Sequence, residues 1–469
     1  MALGKRQQEK QQELFVAATS MPKSPGHPFY KRINELLKAA GFDDWVEKLC
    51  APYYADGVGR PGIAPGVYFR MLLVGYFEGI DSQRGIAWRC ADSRSLQEFL
   101  GLPLTATSPE HSSLTRVRQR LPIEVHQEVF AFVVKVAKEK GLVKGKTLAV
   151  DSTTLEANAA MKAIVRRDTS EGWKEYVRGL AEEAGIDDPS DDDLRRFDRN
   201  RPGKKVSNKD WKSPTDPDAR IAKMKDGRTR LAYKAQHAID VHGEIVTAAT
   251  IHHADRPDSE TIKDAVVEAG GVMFAAGDDV QFREVVADKG YHKAATLAWL
   301  AERELRSYVP ERRSKRKRKW SDKPVAWRQA HELNRRRVND SRSSELQRLR
   351  SERVERSFAH TCRSGRARRT WLRGLIDVAK RYLIHVAGHN LGRIMLALFG
   401  VGTPRGLQGV SRAIRDLVGA LVVLCATICR VILSTLSKSL GLALRTLDSA
   451  RRLVEDHRGL ELTPSSTAC

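Results

Sequence analysis

Thr147-Leu148-Ala149-Val150-Asp151-Ser152-Thr153-Thr154 is the stretch from which the fold is read. A short apolar run rich in residues that suit a pleated surface reads as a buried strand, and it ends on a carboxylate followed by hydroxyls. Such an acid either begins a turn or caps the next helix, or it is presented at the mouth of a core strand as a functional group. A second run favours the latter: Arg283-Glu284-Val285-Val286-Ala287-Asp288-Lys289-Gly290-Tyr291 is again an apolar stretch ended by an acid, with a glycine two residues on that takes a tight turn. Two core strands are therefore expected to present one carboxylate each, Asp151 and Asp288.

Working outward, strand character returns in Lys234 to Val241 and again in Glu244 to Ile251, with His242-Gly243 between them as a hairpin signal. Helices are expected from about Asp258 to Ala269 and near Lys293 to Arg303, and a strand over Leu305 to Val309. This order predicts an α/β core, a mixed sheet flanked by helices with Asp151 and Asp288 at strand ends. Two excursions interrupt it: a helical, acidic insertion over about 160–230 and a basic one over about 310–345. Residues 1 to about 60 are helix-leaning and polar, and from Pro61 to Pro122 apolar residues fall at helical spacing, as in Val67, Met71, Leu72 and Tyr76. They close on Ser112 to Arg120, a cap-like start running into a basic helix. That pattern suits a helix-turn-helix-like DNA reader, with Arg116, Arg118 and Arg120 available to guanines or phosphates, or a plain helical scaffold. The expected division is a helical DNA-binding domain at 1–140, a catalytic domain at 141–400 and a helical region at 401–469.

A chain of 469 residues exceeds one ordinary core. Its net charge of +23 points to a polyanionic partner. From Arg303 to Arg373, 24 Lys and Arg face 8 Asp and Glu, a net of +16. That concentration favours nucleic acid, with Lys315, Arg316, Lys317 and Arg318 as phosphate contacts. Trp320 and Trp327 beside them either stack on unpaired bases or anchor the insertion. The six cysteines are scattered without a C-x-x-C pair, so neither a disulfide framework nor a zinc site is indicated. His252-His253-Ala254-Asp255 is read as core or loop, because adjacent strand side chains point to opposite faces. Leu417 to Cys429 is free of charge but too short for a bilayer, and no membrane partner is expected.

Carboxylates without a cysteine or histidine cluster suit a hard cation, Mg²⁺ or Mn²⁺. Two such ions held by shared carboxylates activate an attacking oxygen and stabilise a leaving one in phosphodiester displacement. A third acid is then expected from the helix after the basic insertion. Arg353-Val354-Glu355-Arg356-Ser357-Phe358 sets Glu355 among arginines, with Val354 and Phe358 as the packing pair and Glu352 as its competitor one turn away.

Val150-Asp151-Ser152-Thr153, Tyr233-Lys234-Ala235 with Ile239-Asp240, Val286 to Tyr291 and Arg353 to Phe358 resemble, in order, the DDE transposases of bacterial insertion sequences. The segments around Pro65 to Phe99 and Ser112 to Arg120 resemble the N-terminal domain found with them, so the likeness covers about residues 25–400. It implies a ribonuclease-H-like core, two divalent ions held by Asp151, Asp288 and Glu355, and cleavage of transposon ends followed by strand transfer. Double-stranded DNA (terminal inverted repeats and target), a homodimer or higher oligomer, a bacterial cytoplasmic setting and DNA contacts by Arg353 and Arg356 are expected with it. The alternatives are a metal-dependent nuclease without strand transfer and a catalytically silent DNA-binding descendant. Some relatives carry a Tyr and an Arg at fixed positions before the Glu and a Lys seven residues after it; here the residue four before Glu355 is Ser351 and the one seven after is Cys362, and Arg350, Arg363 and Arg366 offer basic character instead.

Overall fold

The computed structural model describes residues 26–55, 62–103, 105–202, 207–277, 281–312 and 318–407, with 447 and 451. The chain divides into two compact units, Met1–Pro404 and Arg405–Cys469, and the helices and sheet of the described fold belong to the first. Leu417 to Cys429 and most of the expected region 401–469 lie outside the described residues. No helix among the described residues is long and apolar enough to cross a membrane.

Seven helices come first: α1 (Pro28–Ala39), α2 (Phe42–Cys50), α3 (Pro65–Glu78), α4 (Gln83–Ala91), α5 (Arg94–Leu100), α6 (His111–Arg120) and α7 (Ile123–Glu139). Prolines at the first turn start α1 and α3, where a missing N–H costs nothing. α3 is apolar all round and nearly wholly buried, so the other helices wrap it. The expected cap at Ser112 is not used. α6 begins at His111 after Glu110, with no side-chain cap bond.

The sheet follows: β1 (Lys146–Glu156), β2 (Val165–Arg166), α8 (Trp173–Glu183), α9 (Asp191–Asn200), β3 (Trp211–Lys212), β4 (Arg220–Lys223), β5 (Thr229–Asp240), β6 (Val246–His253), α10 (Asp258–Ala275), β7 (Phe282–Ala287), α11 (Ala294–Ala301), β8 (Arg306–Tyr308), α12 (Val325–Val338), α13 (Ser341–Phe358) and α14 (Leu375–Phe399). Six strands run β4-β5-β1-β7-β8, with β6 also paired to β5. β5 is antiparallel to β1, β4 and β6, whereas β7 and β8 run parallel to β1 and to each other, so the sheet is mixed. The expected insertion at 160–230 holds the β2–β3 ribbon and α8 with α9, which bury Val177, Ala181 and Leu194 as a small core of their own.

Contrary to expectation, β1 does not end at Asp151. Its parallel ladder with β7 stops at Val150↔Ala287, but Ser152 to Glu156 continue the antiparallel ladder with β5. The longer partner strand keeps the backbone N–H and C=O groups of these polar residues paired, which an apolar-run reading misses.

Strand parity sorts the side chains. Leu148, Val150, Val285 and Ala287 lie on the face covered by α10, α11 and α12, where they form one core with Ile262, Ala265, Leu297 and Ala330. The residues between them face α13 and α14. α14 also packs on β6, α3 and α7, joining the N-terminal helices to the sheet. Close approach there needs glycine: a Cβ at Gly388 of α14 would meet the ring of Tyr76 from α3 at 2.6 Å. At the β5–β6 turn a Cβ on Gly243 would sit 1.8 Å from the Leu142 carbonyl oxygen, so only glycine fits against the loop leading into β1.

Candidate active site

Asp151 and Asp288 are brought side by side. Val150 pairs with Ala287 across a parallel ladder, and the next residue of each strand is the acid. Both follow residues that point into the opposite core, so both project toward the face that α13 covers. Asp151 is about one-third exposed and accepts two hydrogen bonds, from its neighbour Ser152 N at 2.8 Å and from Arg350 Nη1 of α13 at 2.7 Å. Burial raises its carboxyl above the ordinary range and the charge of Asp288 adds to this, while Arg350 and the Ser152 N–H oppose them. Asp288 caps a single 3₁₀ turn, Lys289–Tyr291, by accepting from Gly290 N.

α13 is fixed over these acids at three points. Near its start, Gln347 Nε2 donates to the carbonyls of Ala287 (3.1 Å) and Tyr308 (2.9 Å), the last residues of β7 and β8. In the middle, Arg350 reaches Asp151. At its end, Ser357 and Phe358 pack on His237, the cross-strand neighbour of Asp151: Ser357 Oγ is 2.8 Å from His237 Nδ1 and the Phe358 ring stacks at 4.1 Å. Tyr382 OH takes the other ring nitrogen at 2.8 Å, and full burial lowers the imidazole to about 3.

Glu355 lies between the second and third of these points. It is exposed and borders a cleft with Thr153, Thr154, Lys225, Arg363 and Arg368. Glu352, its competitor, is engaged by Arg356 at 2.5 Å and Arg348 at 3.8 Å. The three acids are not drawn together completely: Asp151, Asp288 and Glu355 do not all place an oxygen within 4.8 Å of one another.

Residues that sequence reasoning passed over stand beside them. Asp258, the first residue of α10, accepts from Ser152 Oγ at 3.0 Å and pairs with Lys234 Nζ at 2.9 Å. It also lies close to the Asp288 turn, since a Cβ on Gly290 would be 3.2 Å from its Oδ2 and 2.8 Å from Asp288 Oδ1. Tyr291 OH, buried beneath, is 3.5 Å from Gln236 Nε2. In sequence Asp258 follows a proline at a helix start, where an acid is ordinary, so only the fold reveals its position.

The expected DNA contacts divide into three groups. Arg116 and Arg120 of α6 are exposed, Arg120 lying over the Tyr54 ring at 4.7 Å. Arg118 is not available to a groove: it is 8% exposed and its Nε faces Asp377 of α14 at 3.4 Å. Arg353 and Arg356 are held by the β5–β6 turn, pairing with Glu244 at 3.6 and 2.9 Å. Lys315, Arg316 and Lys317 lie outside the described residues, and Arg318 pairs with Glu311 at 3.3 Å. Of the two tryptophans, Trp320 packs edge-on against His331 and Trp327 against the core, so both anchor the insertion.

Two comparisons with known families agree. Residues 20–120 match a transposase domain (DUF772), and residues 310–395 match a transposase DDE domain, a span that includes Glu355 but neither Asp151 nor Asp288. No curated protein and no solved structure matches the chain.

Proposed function

From these matched domains the chain is a DDE transposase of insertion-sequence type, and on that premise we propose that it cuts the ends of its element and joins them to target DNA by phosphodiester transfer. The observation that carries this reading is that Asp151 and Asp288 each come one residue after Val150↔Ala287, the last pair of the parallel β1–β7 ladder, beneath the helix that bears Glu355. The strands in chain order, with β1, β4 and β6 antiparallel to β5 and then β7 and β8 parallel to β1, support a ribonuclease-H-like core.

The donor set fits divalent ions. The groups are oxygen donors and burial leaves Asp151 in need of a cation; Arg350, which holds one Asp151 oxygen at 2.7 Å, would yield that oxygen to an ion. Asp151 and Asp288, with Glu355 from α13, would hold two Mg²⁺ or Mn²⁺ ions. Such ions activate an attacking oxygen and stabilise a leaving one. The chain's own part is to hold the acids in place: Gln347 and His237 set α13 against the strand ends, and Asp258 with Lys234 braces Ser152 beneath Asp151.

DNA approaches the α13 face through the surrounding basic residues. Lys225, Arg363 and Arg368 around the Glu355 cleft suit phosphates, which position a duplex without reading it. Sequence reading is assigned to the N-terminal helices, with Arg116 and Arg120 of α6 outward. Two DNA ends handled together call for a dimer or higher oligomer.

The test is product analysis. The full chain with Mg²⁺ is incubated with DNA carrying the inverted repeats that flank its reading frame, together with a circular target. Joined end–target products are expected. Cut ends without joining would replace this reading with a nuclease, and intact DNA under stoichiometric binding would replace it with a silent DNA-binding protein.

A further inference from the structure

We infer that His292, Glu311 and His331 form a second metal site, distinct from the acidic one and selective for a borderline cation of the Zn²⁺ type. Each residue offers one ligand atom, and the three atoms lie within 4.8 Å of one another. They come from three separate places: the residue after the Asp288 turn, the segment after β8, and the middle of α12. His331 Nε2 is 3.1 Å from Glu311 Oε1, and the two imidazole rings meet edge to face with centroids 5.4 Å apart. Small side-chain rotations close such a set on one ion.

Donor chemistry decides the kind of cation. Two imidazole nitrogens and one carboxylate oxygen match the ligands of zinc, whereas Mg²⁺ takes oxygen and keeps several waters. Three protein ligands leave a fourth position for water. The surroundings hold the rings in place: Trp320 lies edge-on to His331 at 5.1 Å, and His331 is only 6% exposed. One neighbour opposes a cation, since Arg318 Nη2 stands 3.3 Å from the same Glu311 oxygen that faces His331. A bound ion takes over that oxygen and releases Arg318 to a phosphate.

The site has a structural purpose in this fold. It ties the root of the basic segment to the turn that carries Asp288, alongside Arg312, which donates to the carbonyls of Lys289 at 3.2 Å and Gly290 at 3.5 Å. Metal at the three residues fixes Glu311, beside Arg312, against that turn. No part of this depends on the strand-transfer reaction, so it stands or falls independently of the function proposed above.

The experiment uses the full chain, stripped with chelator, and Co²⁺ as a spectroscopic stand-in for Zn²⁺. One equivalent should give visible ligand-field bands that Zn²⁺ abolishes and millimolar Mg²⁺ does not. Glu311→Gln, at a half-exposed position that does not threaten folding, and His292→Ala should each weaken Co²⁺ at least ~10- to 100-fold. Asp151→Asn should leave it unchanged, which separates the two sites. Wild-type protein that binds neither Co²⁺ nor Zn²⁺ overturns the inference. So does binding that survives in both variants, which would place the ion elsewhere, or binding that Asp151→Asn removes.

Discussion

Arg350 shows how a single residue organises the candidate site. Its guanidinium bonds Asp151 across 199 residues of chain and draws α13 onto the strand, whereas the sequence offers it only as basic character near Glu355 and gives no sign of its partner. Other charged residues are set by burial in ways a pH experiment reads. Glu268 on α10 is pushed up to about 7, chiefly by burial, with Asp264 adding to the effect. An unfolded Glu titrates near ~4.3, so between that pH and about 7 the unfolded chain loses a proton that the folded chain keeps. Stability therefore falls across this window and stays lowered above it. Glu268→Gln should raise the thermal midpoint at pH 8 by an amount corresponding to on the order of 1–3 kcal/mol, and by nothing at pH 4. An equal gain at both values would contradict the assignment.

At the scale of elements, α13 is held to the β5–β6 turn through Glu244, which receives Arg353 at 3.6 Å, Arg356 at 2.9 Å and Arg393 of α14 at 2.8 Å. Removing the acid strands three partly buried cations. Glu244→Gln should cost about 1.5–3 kcal/mol in a denaturation experiment. Arg353→Ala should likewise lower stability while leaving the salt dependence of DNA binding in place, because that side chain is spent on the turn. Gly243→Ala is expected to cost ~1–3 kcal/mol or more, since its Cβ collides with a backbone oxygen that cannot move cheaply. Unchanged denaturation midpoints would contradict these contacts. This is also the scale at which the sequence is most and least readable. The strands carrying Asp151 and Asp288 were legible because apolar runs broken by an acid are local signals. Arg118 was not, because its burial against Asp377 depends on α14, a helix far along the chain. The same holds for His292, Glu311 and His331, whose convergence no spacing announces, and for Ser152 to Glu156, which are strand only because β5 is long enough to pair them.

Across the whole molecule, the charge excess and the joined helices bear on DNA binding together. Neutralising Lys315, Arg316, Lys317 and Arg318 should weaken binding to any duplex and reduce the slope of log affinity against log salt by ~0.9 for each phosphate the run no longer neutralises. An unchanged slope would make the run a solvated loop. End recognition is better tested in the full chain than in a fragment 1–140, because α14 covers α3 and α7 and its removal would expose their apolar faces. Arg116→Ala should reduce the preference for terminal repeats over random DNA, read by footprinting.

The central claim, that Asp151, Asp288 and Glu355 carry the cutting chemistry, is tested most directly by DNA cleavage in Mg²⁺ with Asp151→Asn, Asp288→Asn and Glu355→Gln, each checked for folding and for repeat binding. Loss of cleavage in all three with binding retained, and activity kept in Glu352→Gln, is the predicted result; near wild-type cleavage by any of the three, or a dead Glu352→Gln beside an active Glu355→Gln, would contradict it.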